Sequence, residues 1–332
     1  MGWGAQMPVR ERSLSTTMLT SVVSAVFLMP MTASAADLNK ARAPVPAAYA
    51  PAVDGVNWKF GGLGGSLADR PIYGAQGAVT IPLAGQYGFQ LDGAVGSFDD
   101  RFFGIVAGHL FWRNPAQGLV GVYVSHTHWD QFTGLHVTQV GGEAEAYFGP
   151  FTIQGIAGVE TGNSASGNVG GLLETYDVGT RFFDKINLSY YLNDNLKVFA
   201  GHRYQGGKNA LALGGEWAFR LNGPVMGALF VEGRVGENDF RGIWGGLRVY
   251  YGQNDKTLVQ RHRQDDPNWW IPESLFSIVN TLVTKPIPGG GPHCVPEGDA
   301  EGDACCPQPD GDGDGDGRCV VVGDGDGDSI NE

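Results

Sequence analysis

Between Val56 and Tyr251 the chain keeps a two-residue rhythm of apolar and polar side chains, broken by clusters of Gly, Asn, Asp and Pro. A period of two is the signature of strands with unlike faces. The breaks divide the region into twelve segments: 56–66, 72–82, 87–97, 101–113, 118–128, 133–148, 150–160, 175–192, 195–205, 208–220, 224–235 and 239–251. Most have eleven or more residues. Strands of globular proteins average about 5–6 residues, whereas strands that cross a bilayer need about 9–11. Length therefore favours a membrane barrel over a sandwich.

The faces are chemically distinct. Tyr87, Phe89, Leu91, Gly93 and Val95 share one side, and Gln90 and Asp92 the other. Val140, Gly142, Ala144, Ala146 and Phe148 alternate with Gln139, Glu143 and Glu145. Phe151, Ile153, Gly155, Ala157 and Val159 alternate with Thr152, Gln154 and Glu160. An apolar exterior around a polar interior suits lipid, and a soluble barrel would reverse the sides. Aromatics precede every second turn: Phe111-Trp112, Tyr147-Phe148, Tyr190-Tyr191, Trp217 with Phe219, and Tyr250-Tyr251. Up-and-down strands gather these at one end of the sheet, as an interfacial girdle requires. The expected fold is all-β, an antiparallel up-and-down transmembrane barrel of about twelve strands. An even strand number returns both termini to one side, expected to be periplasmic, with the aromatic-preceded turns on that side. Of the outward loops only 161–174 is long, which leaves a squat barrel.

The flanks divide the rest. Arg10 and Arg12, an apolar run from Met18 to Met29, and Ala33-Ser34-Ala35 make residues 1–35 a secretory signal cut after Ala35. The apolar run is too short to cross ~30 Å of hydrocarbon as a helix. Residues 36–55 form an Ala/Pro-rich linker, 56–251 the barrel, 252–293 a charged linker and amphipathic helix, and 294–332 an acidic tail. The helix opens at Pro272-Glu273 and presents Ile271, Leu275, Ile278, Val279, Leu282 and Val283 on one face. Packing on the barrel's end is the expected placement, with a lumenal plug as the alternative.

Of the net charge of −13, twelve acidic residues against one Arg put −11 between Cys294 and Glu332. Overall acidity therefore describes the tail, and nothing is basic enough for nucleic acid. All four cysteines (Cys294, Cys305, Cys306, Cys319) are there too. In an exported chain they allow up to two disulfides. Cys305 and Cys306 are adjacent and disfavour bonding each other, which leaves two pairings.

Two regions invite metals. Asp310, Asp312, Asp314 and Asp316, then Asp324, Asp326 and Asp328, alternate with Gly, and alternate carboxylates can converge on calcium. The competing reading is a solvated acidic spacer. The tail is similar to the Asp-rich repeats of thrombospondin type 3 modules. It departs from an EF-hand loop, with Ser329 in place of Gly and no downstream bidentate Glu. His126, His128 and His136, with Asp130 between, suggest zinc. Ser125 beside His126 suggests a lipid hydrolase, and rim histidines without a ligand are the simplest reading.

Charged residues on the polar faces are lumen candidates: Asp92, Arg101, Glu143, Glu145, Asp177, Arg181, Arg203, Glu216, Glu232, Arg234 and Arg248. Buried charges of both signs pair, so a mostly closed, bridged lumen is expected.

Ala33-Ser34-Ala35 followed by Ala36-Asp37-Leu38, the hairpin from Ser189-Tyr190-Tyr191-Leu192-Asn193-Asp194-Asn195-Leu196 and its ending at His202-Arg203-Tyr204 resemble small outer-membrane barrels of alphaproteobacteria. The resemblance covers about residues 30–251. It implies a porin-like barrel surrounded by outer-membrane lipid; the function expected is non-enzymatic, structural or passing small polar solutes. The tail would then contact periplasmic components.

Overall fold

The structure, a computed structural model, describes residues 50–221, 224–238, 240–252 and 256–287. Fifteen strands lie in them: β1 (Asn57–Leu67), β2 (Arg70–Pro82), β3 (Tyr87–Phe98), β4 (Arg101–Asn114), β5 (Gly118–Trp129), β6 (Leu135–Phe148), β7 (Phe151–Gly162), β8 (Ser164–Val169), β9 (Leu172–Asp177), β10 (Thr180–Asn193), β11 (Leu196–Gln205), β12 (Lys208–Arg220), β13 (Val225–Gly236), β14 (Arg241–Tyr251) and β15 (Leu282–Pro286). Twelve of them form a closed antiparallel barrel in the order β1-β14-β13-β12-β11-β10-β7-β6-β5-β4-β3-β2. The remaining three, β8, β9 and β15, make a small separate sheet.

The twelve-strand barrel matches the expectation from the sequence. One segment differs. The expected strand 175–192 is two elements, because Leu172–Asp177 pairs with β8 and the barrel strand starts at Thr180. Gly179, at φ 57, turns the chain between them. The loop expected at 161–174 is thus mostly a β-hairpin.

The barrel strands expose an apolar side to the exterior and turn most of their polar side chains inward, with inward apolar residues such as Phe103, Ile105 and Trp244 lining the lumen. On β3, Gln90 and Asp92 are buried while Tyr87, Leu91 and Val95 are exposed. On β5, Val120, Val122 and Val124 point outward while Tyr123, Ser125 and Thr127 point in. A soluble barrel would leave this apolar wall in water at a cost of ~25 cal/mol per Å². The wall is stable in lipid, and closure leaves no unpaired strand edge there.

The aromatic doublets obey the same alternation, so each splits. Phe148, Tyr190 and Tyr251 face out, and their neighbours Tyr147, Tyr191 and Tyr250 face in. Trp217 and Phe219, two residues apart, share the outer side. With Trp58, Tyr87 and Phe151 these ring the end where β1 begins, called here the near end. Tyr73, Phe102 and Phe182 mark the far end. Tyr73 pairs with Ser97. From Tyr87 to Ser97 is about ten residues, which at ~3.4 Å each and a tilt of ~40° spans ~26 Å, close to the ~25 Å apolar band of membrane barrels.

Far-end turns are tight. Asp99 and Asp100 have φ of 52 and 56, and Gly206 and Gly207 of 59 and 79. Positive φ at both central positions fits the type I′ turn that matches strand twist. Asp99 also holds Arg70 at 2.8 Å, but Asp100 is exposed and strained for nothing visible. Asp100→Gly is therefore expected to stabilise the barrel by about 0.5–1 kcal/mol, seen as a higher unfolding midpoint in detergent.

Candidate functional site in the barrel lumen

The lumen is occupied by the chain itself. After β14 returns to the near end, residues 256–265 close that end. Thr257 and Gln260 form a capping box, with Thr257 N–H donating to Gln260 Oε1 at 2.9 Å. Val259 N–H donates to Asp194 O (3.1 Å) and Leu258 N–H to Asn195 Oδ1 (3.1 Å), both in the β10–β11 turn. Arg263 donates to Gly149 O and Phe151 O, each at 2.8 Å. Lys256 pairs with Asp265 at 2.6 Å, and Asp265 accepts from Asp54 N–H at 3.1 Å. The lead-in before β1 is bound to this cap.

From Asp266 the chain runs inward. Lys59 donates to Pro267 O, and Trp269 lies against Lys59 and Arg248. Lys185 donates to Trp270 O at 3.4 Å. Glu273 then meets two arginines from the wall, Arg203 on β11 and Arg234 on β13. Its carboxylate accepts from Arg203 Nε and Nη2 and from Arg234 Nη2, and all three side chains are buried. Ser274 and Thr127 share a hydrogen bond of 2.6 Å. Ser277 Oγ accepts from Gln139 (3.0 Å) and Gln205 (3.2 Å). Leu275, Phe276, Ile278 and Val279 pack among Phe98, Phe103, Trp129 and Trp244.

The segment leaves at the far end. Asn280 donates to Gln205 O (2.8 Å), beside the β11–β12 turn, and Asp177 N–H donates to Thr281 Oγ1 (3.2 Å). Residues 282–286 then pair with β9, Leu282 opposite Tyr176 and Pro286 opposite Leu172. Burial pushes the Tyr176 phenol up, partly opposed by Arg70. One expectation is corrected here, in favour of the lumenal alternative. The amphipathic helix is only two short turns, Glu273–Leu275 and Phe276–Val279, inside the lumen and not on the barrel's end. The barrel strands themselves begin and end at the near end, as an even strand number requires, and the chain termini lie outside the described residues.

The wall contains most of the charges expected there. Asp92, Glu143, Arg203, Glu216, Arg234 and Arg248 are buried in it, and Glu145 and Glu232 are nearly so. Arg248 joins Glu216 (2.8 Å) and Glu232 (3.3 Å). Arg181 sits at the far rim, donating to Gly206 O and Asp177 O. Arg101 and Asp177 lie outside the lumen, exposed at the far end. Buried wall residues not singled out from the sequence are Lys59, His109, Arg113, Glu160, Lys185 and Lys197. His109 bridges Glu143 (2.7 Å) and Asp92 (3.2 Å). Each obeys the same alternation that marked its neighbours, Lys59 standing between outward Trp58 and Phe60. Beside Trp269 lies a cavity of about 10 Å³, room for one water at most.

The histidines expected at the rim face outward. His126 hydrogen-bonds Thr138 at 2.9 Å and its ring lies 5.6 Å from that of His136, which is opposite His128 in the β5–β6 register. Among the described residues no three metal-ligating side chains converge. Ser125 points into the lumen, toward Gln139, while His126 points out, so the two cannot act as a nucleophile and its base. The Asp residues from Asp310 to Asp328, the four cysteines and the signal all lie outside the described residues.

No protein-family model and no curated protein matches the chain. Solved structures with a similar course include the translocator domain of autotransporter NalP from Neisseria meningitidis, at 12% identity and TM-score 0.42 over 60% of this chain and 89% of that one. The COG4313 outer membrane channel from Pseudomonas putida F1 aligns at 10% identity and TM-score 0.41, over 63% and 99%. The transport unit of the autotransporter AIDA-I from Escherichia coli aligns at 11% identity and TM-score 0.35, over 70% and 96%.

Proposed function

We propose that this chain is a bacterial outer-membrane barrel held shut by its own C-terminal segment, a structural barrel that passes small polar solutes only when that segment leaves the lumen. The inverted sidedness of the wall supports the membrane, since closed barrels and helices alone satisfy the backbone in lipid. The observation that carries the closed state is the buried Arg203–Glu273–Arg234 cluster, which joins the segment to the wall across the lumen. With the segment gone, the polar wall is what a solute meets.

Planar bilayers test this directly. The full chain is expected to be electrically silent, and a version ending at residue 255 to show stepwise conductance. Steady, equal conductance of both proteins contradicts the reading. For the tail, calcium is the ligand that the Asp310–Asp316 and Asp324–Asp328 spacing suits. Calorimetric titration of the full chain at millimolar calcium is expected to give heat that a version ending at residue 293 lacks. Equal heats remove the idea.

A further inference from the structure

We infer that the barrel passes its own C-terminus through the lumen and presents residues 288–332 on the outer surface of the cell. The inference rests on the outer-membrane reading above. Its basis is the order in which the segment meets the wall. Leu258 and Val259 bind the near-end turn at Asp194-Asn195. Pro267 meets Lys59 and Gln90, both in the near half of their strands. Trp270 meets Lys185 in the middle of β10. Glu273 meets Arg203 toward the far end of β11, and Asn280 meets Gln205 at its last residue. The contacts advance in one direction, with no return.

The exit follows the β8–β9 hairpin, which rests on the far rim through Glu174 with Arg70 (3.5 Å) and Tyr176 with Trp129 and Phe132. β15 enters the small sheet at the base of the β8–β9 hairpin, where Leu282 faces Tyr176, and ends at its tip, where Pro286 faces Leu172. Five residues at ~3.3 Å each carry the chain about 17 Å along that hairpin. The described chain ends at that tip, on the far side of a lumen occupied by residues 267–281.

Most connections are short at both ends, and the ends differ in one of them. Near-end connections are short, as between β6 and β7 or β10 and β11. The far end carries the longest connection, from Gly162 to Thr180, with its own hairpin. Membrane barrels place short turns in the periplasm and longer loops outside. The far end is then external, and the tail emerges there with twelve of the chain's acidic residues and all four cysteines. An outer surface is oxidising and supplies divalent cations, the setting in which paired cysteines and Asp-Gly repeats are chemically useful.

Epitope tags on the full chain test the placement. One version carries the tag after Glu332, a second before Val45 and a third between Gly170 and Gly171. Each is checked for outer-membrane fractionation and heat-modifiable migration, then probed with antibody on intact and on outer-membrane-permeabilised cells. The tags after Glu332 and at Gly170-Gly171 are expected to bind antibody equally in both. The tag before Val45 is expected to bind only after permeabilisation. A Glu332 tag that needs permeabilisation, in a protein that fractionates with the outer membrane and migrates as a folded barrel, overturns the inference. Failure to fractionate with the outer membrane overturns the reading beneath it, and the inference with it.

Discussion

Glu273→Gln should unlock the lumen. The carboxylate is the anion held between the buried guanidinium groups of Arg203 and Arg234. Removing one partner of a buried ionic cluster leaves charge uncompensated and costs about 3–5 kcal/mol. Between a seated and a released segment, that is a shift of roughly 10²- to 10⁴-fold in the equilibrium. In planar bilayers the variant is expected to open in steps where the parent stays silent, while the barrel still migrates as folded. The remaining contacts of Ser274 and Ser277 are neutral hydrogen bonds, each contributing about 1 kcal/mol, and do not replace it. A triple change of Glu273, Arg203 and Arg234 to Met removes all three charges together and is expected to restore closure, as apolar replacements of buried ion clusters do. A silent Glu273→Gln protein would show that the cluster does not hold the segment.

Val124→Arg should prevent the barrel from forming in lipid. Val124 lies halfway along β5, outward, paired with Gly108 and Val140 at mid-barrel. An Arg on the lipid face at the bilayer midplane costs about 2–4 kcal/mol, and less toward the interfaces. Folding into vesicles, followed by heat-modifiable migration, is expected to fall steeply for Val124→Arg and to stay near parental for Val124→Leu. Were this wall turned to water, Val124→Arg would be harmless, and full folding yield would contradict the account.

The barrel was legible because the chemistry repeats with the geometry. In β3 over Phe89–Gly93 and in β5 over Val122–Ser125, polar and apolar side chains alternate, so face and environment can be assigned together. The same rule explains what was misread. Tyr190 and Tyr191 stand side by side in sequence, yet only Tyr190 joins the girdle, while Tyr191 turns inward to hydrogen-bond His262 at 2.9 Å. Arg203, Arg234, Glu216 and Arg248 could be placed in the lumen by parity alone. Their arrangement could not be read, since Glu273 comes from a segment distant in sequence and carries no local mark of its destination.

That segment departs most from its local sequence pattern. Ile271, Leu275, Ile278 and Val279 have helical spacing, and Glu273 looked like an ordinary acid in a first turn. Burial on all sides by the barrel wall replaced the one-sided packing that the pattern suggested, and helix persists only over the two short turns from Glu273 to Val279. Leu282 and Val283 continued the pattern but joined the free edge of β9, where backbone groups awaited partners. Tertiary context, absent from local periodicity, decided both.

The central claim is that the apolar face of these strands meets lipid. All four cysteines lie in the tail, so with those changed to Ser, single cysteines can be placed one at a time from Phe89 to Val95 on β3 and spin-labelled in vesicles. Collisions with oxygen, which concentrates in hydrocarbon, are expected to be high at Phe89, Leu91, Gly93 and Val95 and low at Gln90, Asp92 and Ala94. A flat profile, or high values on the Gln90 and Asp92 side, would contradict it.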